Sequence, residues 1–90
     1  MKHYASPRFW TCYDQLPATA RSLADKRFEL LKTSPGHPSL HFKKVREFRS
    51  VRVGLHYRAL AVEIPEGLLW FWIGTHSDYD RLLRREGNEP

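Results

Sequence analysis

The sequence predicts an α+β fold: an N-terminal α-helical hairpin packed on a four-stranded antiparallel sheet, followed by a short C-terminal helix. Three observations predict it. Apolar residues recur at helical spacing between residues 9 and 31, the period changes to two from residue 41 onward, and the period-two segments are joined by connections too short for a helical crossover. Ninety residues hold one such domain, residues 1–90, and no second core. A chain of this size buries about 60 to 65% of its unfolded surface, so its core must be efficient. The 41% hydrophobic and 13% aromatic content makes an unaided core feasible.

Ser6 followed by Pro7 marks a helix start, because Ser caps free amides and Pro is tolerated at the first helical position. Phe9, Trp10, Tyr13 and Leu16 then form one apolar stripe. Pro17 breaks this helix or opens the next, in which Ala20, Leu23, Ala24, Phe28 and Leu31 take one side and Arg21, Asp25, Lys26 and Glu29 the other. Ser34, Pro35, Gly36 and Pro38 end it. Strands are predicted near 41–47, 50–54, 57–64 and 68–74, with Pro65, Glu66 and Gly67 as the clearest turn. The last strand is apolar on both faces and must be central or covered. Ser77 with Asp80 reads as a capping box for a helix over 77–86, with Tyr79, Leu82 and Leu83 inward.

The single Cys12 has no partner for an internal disulfide, and the first residues lack the apolar stretch of a secretory signal, which points to the reducing cytoplasm. The longest apolar run, 68–73, is six residues. A membrane span needs about 20, so no membrane partner is expected. The net charge of +5 is concentrated: residues 41–58 carry Lys43, Lys44, Arg46, Arg49, Arg52 and Arg58 against Glu47 alone. Interleaved with His41, Phe42, Phe48, His56 and Tyr57, this is the footprint of a polyanion site. The competing reading is a solvated basic sheet face.

The five histidines match no metal-ligand spacing, and Asp78 and Asp80 are explained by the dipole of the helix they open. Cys12 reads as a small boundary residue, not a nucleophile. No phosphate-binding glycine loop is present, so neither metal nor cofactor is expected. What remains is Arg52, Arg58, His76 and Tyr79, with Lys43, Lys44, Arg46, Arg49 and His56 near in sequence as candidate RNA-binding residues. RNA can be cleaved without metal where one group takes the 2′-hydroxyl proton, another protonates the leaving oxygen and cations stabilise the phosphorane. If residues 54–56 form a three-residue loop, Arg52 pairs with Arg58 across the hairpin and both guanidinium groups share a face. Such a pair is costly without an anion or acidic partner between them, and Glu47 or Glu63 is the structural alternative.

The order of these elements, with the segments "HPSLHFKKV", "RSVRVGLHYRALAV" and "WFWIGTHSDYDRLL", resembles the RelE/ParE superfamily of bacterial type II toxins, over residues 9–83. It looks closest to compact members lacking much of a first strand. The resemblance implies a toxin neutralised by a cognate antitoxin. In the RelE branch such a toxin is an endoribonuclease that cleaves mRNA in the ribosomal A site, next to ribosomal RNA and without metal. By the same resemblance Arg58 contacts the scissile phosphate, Arg52 is a further basic strand residue, His76 in the Gly-Thr-His turn acts as general acid or base, and Tyr79 stands for a C-terminal tyrosine. Ser50 occupies the place of a second basic strand residue, which Arg49 or Lys44 would replace. The ParE branch implies another target, DNA gyrase, for which the acid–base residues are not needed. A non-catalytic RNA- or antitoxin-binding module is the third reading.

Overall fold

A computed structural model of the chain describes residues 1–87. Strand β1 (Lys2–Ala5) leads into helices α1 (Pro7–Asp14) and α2 (Ala18–Thr33). A 3-10 turn, Pro38–Leu40, then precedes strands β2 (Lys43–Val45), β3 (Phe48–Val53), β4 (Tyr57–Ile64) and β5 (Gly67–Thr75), and α3 (His76–Gly87) closes the described chain. The five strands form one sheet in the order β1-β5-β4-β3-β2. The α1–α2 hairpin covers one face, and α3 packs on the other through β4 and β5.

Local chemistry explains most boundaries. The Ser6 hydroxyl accepts from the Phe9 amide at 3.2 Å with Pro7 in the first turn, the cap read from the sequence. Pro17 ends α1 and opens α2 with no side-chain cap. At α3 the cap differs from expectation. Thr75 Oγ1, not Ser77, accepts from the Asp78 amide at 3.1 Å, so His76 is the first helical residue rather than the one before the helix.

The sheet corrects the expected four strands to five. Residues 2–5 are too few and too polar to show a strand period, yet they pair parallel to β5, from Lys2 opposite Gly67 to Ala5 opposite Trp70. Gly67 permits this: its φ is +149°, and a Cβ there would run into the Lys2 carbonyl. With β1 on one side and β4 on the other, β5 is an interior strand, which accounts for its two apolar faces.

A register shift opposite Leu60 and Ala61 inserts Phe71 into β5, so Trp72 pairs with Leu60 while Trp70 pairs with Ala61. Two residues apart, these tryptophans would share a face in a regular strand. The bulge sends them to opposite faces. Trp70 joins Val51, Val53, Ala59, Ala61 and Ile73 beneath the helical hairpin, in one core with Leu31 of α2. Trp72 lies beside Tyr79 of α3, with ring centroids 6.5 Å apart.

Trp70 Nε1–H donates to His3 Nδ1 at 3.0 Å, which requires that nitrogen to be unprotonated. Burial, with the Met1 ammonium and Lys32 adding to it, lowers the His3 pKa below the ordinary histidine value. Between the two values the unfolded chain binds the extra proton, so stability rises with pH there. The contribution is present above about pH 6.5 and is lost as pH falls toward the lowered value. His3→Asn keeps an acceptor near the Nδ1 position without titrating. Its melting temperature should therefore fall less between pH 7.5 and 5 than that of the wild type, and parallel curves would refute the assignment.

Candidate active site

The β3–β4 connection is the three-residue loop of Gly54, Leu55 and His56, and Arg52 stands directly opposite Arg58. Alternation places both on the face away from the helical hairpin, since their neighbours Val51, Val53 and Ala59 belong to the hairpin-side core. Arg52 Nε donates to the Gly54 carbonyl at 3.1 Å, and its Nη1 lies 3.4 Å from His41 Nε2. Arg58 Nη1 donates to the Tyr57 carbonyl at 2.8 Å. Neither arginine is in a salt bridge among the described residues. Glu63, the proposed structural partner, binds Arg49 at 3.1 Å instead. Burial first, then the Arg52 charge, pulls the Arg58 pKa below the arginine value, while Tyr79 and Asp80 oppose this.

His76 is exposed rather than in the core, two residues after Gly74, the β5 partner of Arg58. Its amide donates to the His56 carbonyl at 2.7 Å, fastening the β3–β4 loop to the start of α3. The half-exposed imidazole has Nδ1 3.5 Å from Asp80 Oδ2 and stacks on Tyr79 at a centroid distance of 6.1 Å. Asp80 thus contacts His76 and acts on the Arg58 charge, which links the histidine to the arginines.

The remaining expected residues divide between the faces. Cross-strand partners share a face, so Lys43, opposite Ser50, lies on the Arg52–Arg58 side. Lys44, opposite Arg49, lies on the hairpin side. Arg49 is engaged there by Glu63, with its guanidinium 5.8 Å from the Phe42 ring centre. Neither Arg49 nor Lys44 therefore shares the face of Ser50, whereas Lys43, its cross-strand partner, does. Arg46 is an exposed turn residue with φ 57°, and His56 is an exposed loop residue.

Tyr79 points inward, as the spacing of the 77–86 helix predicts. It is 7% exposed, and its hydroxyl accepts from Ser50 Oγ at 3.0 Å. The buried, occupied phenol ties α3 to the sheet, and its ring stacks on the His76 imidazole. His41, which the sequence places only within the basic segment, meets Arg52 directly. Only the left-handed turn at His41, φ 44°, brings its ring to Arg52, and nothing in the local sequence pattern announces that contact.

Two facing cations without a carboxylate between them fit a bridging phosphate. An adjacent imidazole at a helix N-terminus can exchange a proton with a ligand held there. No three His, Cys, Asp or Glu side chains among the described residues come together as a metal-binding group.

The architecture that carries this site is the RelE toxin fold. The chain superposes with a TM-score of 0.67 on a structure of the RelB–RelE antitoxin–toxin complex from Methanococcus jannaschii, at 18% identity over 87% of this chain and 96% of that one. It matches the isolated RelE toxin of Escherichia coli with a TM-score of 0.59 and 16% identity, over 92% of this chain and 95% of that one. A copper-bound mutant toxin from Helicobacter pylori matches at 0.58 and 18%, over 87% and 97%. No protein-family model matches the sequence. No curated protein matches it either.

Proposed function

We propose that this chain is the toxin of a type II toxin–antitoxin pair and acts as a metal-independent, ribosome-dependent mRNA endonuclease in the cytoplasm. The observation that carries the reading is the registered Arg52–Arg58 pair, with His76 two residues beyond Gly74, the β5 partner of Arg58. The arginines hold and neutralise the scissile phosphate. The 2′-oxygen loses its proton and attacks phosphorus, the bond to the 5′-oxygen breaks, and that oxygen takes up a proton, leaving a 2′,3′-cyclic phosphate. His76, oriented by Asp80 and stacked on Tyr79, transfers a proton at one of these oxygens. Lys43 and Arg46 extend the cationic surface toward messenger and ribosomal RNA backbone, and the exposed His56 ring adds a hydrogen-bonding group. The antitoxin complex among the fold's relatives supports a protein partner that neutralises this surface.

The test is induced expression of wild type and His76→Ala in cells, followed by primer extension on an abundant mRNA. Loss of a general acid or base costs about 100-fold or more. Cleavage within translated codons is therefore expected for the wild type and should vanish in the variant. Growth arrest with intact mRNA would defeat this reading and direct attention to DNA gyrase.

A further inference from the structure

The register of the sheet sets the residues around the arginine pair in a row. Gly74 of β5 stands opposite Arg58 of β4, and Arg58 stands opposite Arg52 of β3. On the far side of β3, Lys43 of β2 is opposite Ser50, so His41, two residues before Lys43, falls level with Arg52, two residues after Ser50. The chain has left the ladder there for the left-handed turn at φ 44°, and that turn carries the ring to the guanidinium, with His41 Nε2 3.4 Å from Arg52 Nη1. At the other end of the row the chain runs on from Gly74 to His76. The strand order β5-β4-β3-β2 therefore brings one exposed imidazole in on the Arg58 side and another on the Arg52 side.

The two rings present different nitrogen chemistry. A guanidinium donates and never accepts, so the His41 nitrogen that faces Arg52 is an acceptor without a hydrogen. At 3.4 Å that contact is long for a hydrogen bond, and a phosphate oxygen is the stronger acceptor for the same N–H. A phosphate held by the arginines therefore frees the His41 lone pair beside it. His76 Nδ1 faces the Asp80 carboxylate at 3.5 Å, which leaves its Nε2 to meet a ligand. Other histidines are engaged elsewhere: His3 accepts from Trp70, and His37 Nδ1 lies against the Ser39 amide and hydroxyl. The hydrogen bonds of Arg52 and Arg58 go to Gly54, His41 and Tyr57, and none goes to the His56 ring.

We propose that His41 is the general base of the cleavage and His76 its general acid. The assignment rests on the nuclease reading and divides between two residues the proton transfers which that reading requires. His41 Nε2 takes the proton of the 2′-hydroxyl as the bond from the 2′-oxygen to phosphorus forms. The bond from phosphorus to the 5′-oxygen breaks, and His76, entering as the imidazolium, gives that oxygen its proton. The products are a 2′,3′-cyclic phosphate and a 5′-hydroxyl, and both histidines return to their starting forms by exchanging protons with water. In-line displacement puts the attacking and leaving oxygens on opposite sides of phosphorus. The row enters the two imidazoles from opposite sides of the arginines that hold it.

The experiment is single-turnover cleavage on ribosomes programmed with the codon that primer extension shows to be cut, its scissile linkage carrying either the natural 5′-oxygen or a 5′-bridging sulfur. Sulfur leaves without a proton, so it spares the need for an acid and not for a base. His41→Gln keeps an acceptor toward Arg52 and removes the base, and it should slow both substrates by about 100-fold or more. His76→Ala should slow the natural linkage by a similar factor and cut the sulfur linkage within about tenfold of the wild type. Thermal unfolding checks that His41→Gln folds, and His41→Asn, which tolerates a left-handed turn, replaces it if it does not. Cleavage of the natural linkage by His41→Gln at the wild-type rate overturns the proposal and leaves His41 as a group that orients Arg52. Restoration of His41→Gln by sulfur also overturns it, as does a His76→Ala loss that sulfur does not relieve. These three results all require an active wild type. A wild type that cuts neither linkage overturns the nuclease reading itself, and this assignment with it.

Discussion

Arg58→Met should reduce mRNA cleavage by about 100-fold or more while leaving the melting temperature equal to or above that of the wild type. The activity estimate follows from removing a preorganised cation at the point where charge develops on phosphorus. The stability estimate follows from its surroundings. Arg58 is partly buried, faces Arg52 across the ladder and makes no salt bridge among the described residues, so folding works against its charge. Methionine keeps most of the apolar stem and removes both the desolvated charge and the repulsion. A residue held at a cost to folding and indispensable to activity is what a functional role predicts. The check is primer extension alongside thermal unfolding. Full cleavage with a lowered melting temperature would make Arg58 a structural residue.

Leu60→Ala should destabilise the fold by about 2 to 5 kcal/mol, the range for truncating a fully buried leucine. Leu60 is 0% exposed, on the face that α3 covers, opposite Trp72 and two residues along β4 from Arg58. Few other side chains can close over the gap, because Ser50 and Tyr79 beside it are tied together by their hydrogen bond. Chemical denaturation gives the value directly, and a loss below about 1 kcal/mol would mean that the α3 layer contributes little to the folded state. Tyr79→Phe is the smaller companion change. It removes only the hydroxyl that accepts from Ser50, and leaving that buried serine unpaired costs about 1 to 3 kcal/mol.

These two changes separate what each face of the sheet does. The hairpin side carries most of the apolar core, from Leu31 and Leu40 to Trp70 and Ile73. The α3 side carries a smaller buried contact and the paired arginines. The paired arginines thus sit on a hairpin whose register followed from the sequence only on condition of a three-residue loop, the condition the structure meets.

The sequence by itself determined the features that depend on near neighbours. Ser6 and Pro7 start α1, Pro17 divides the helices, and the strand period sets Arg52 against Arg58 once the loop between them is the three residues Gly54, Leu55 and His56. Each follows from local backbone preference or from the two-residue period of strands, which act over a few positions. Only the tertiary structure decided the rest. β1 exists because β5 offers it a ladder 65 residues away, with Gly67 clearing the approach, and four polar-rich residues carry no period of their own. The bulge at Phe71 puts Trp70 and Trp72 on opposite faces, an inversion that a single inserted residue produces without any change in hydrophobic pattern. The same long-range pairing placed Lys43, rather than Lys44 or Arg49, beside the arginines and drew the Tyr79 hydroxyl down to Ser50. Burial and cross-strand partnership are set by residues distant in the chain, so composition and spacing could name the chemical groups of the site but not which of them would stand together.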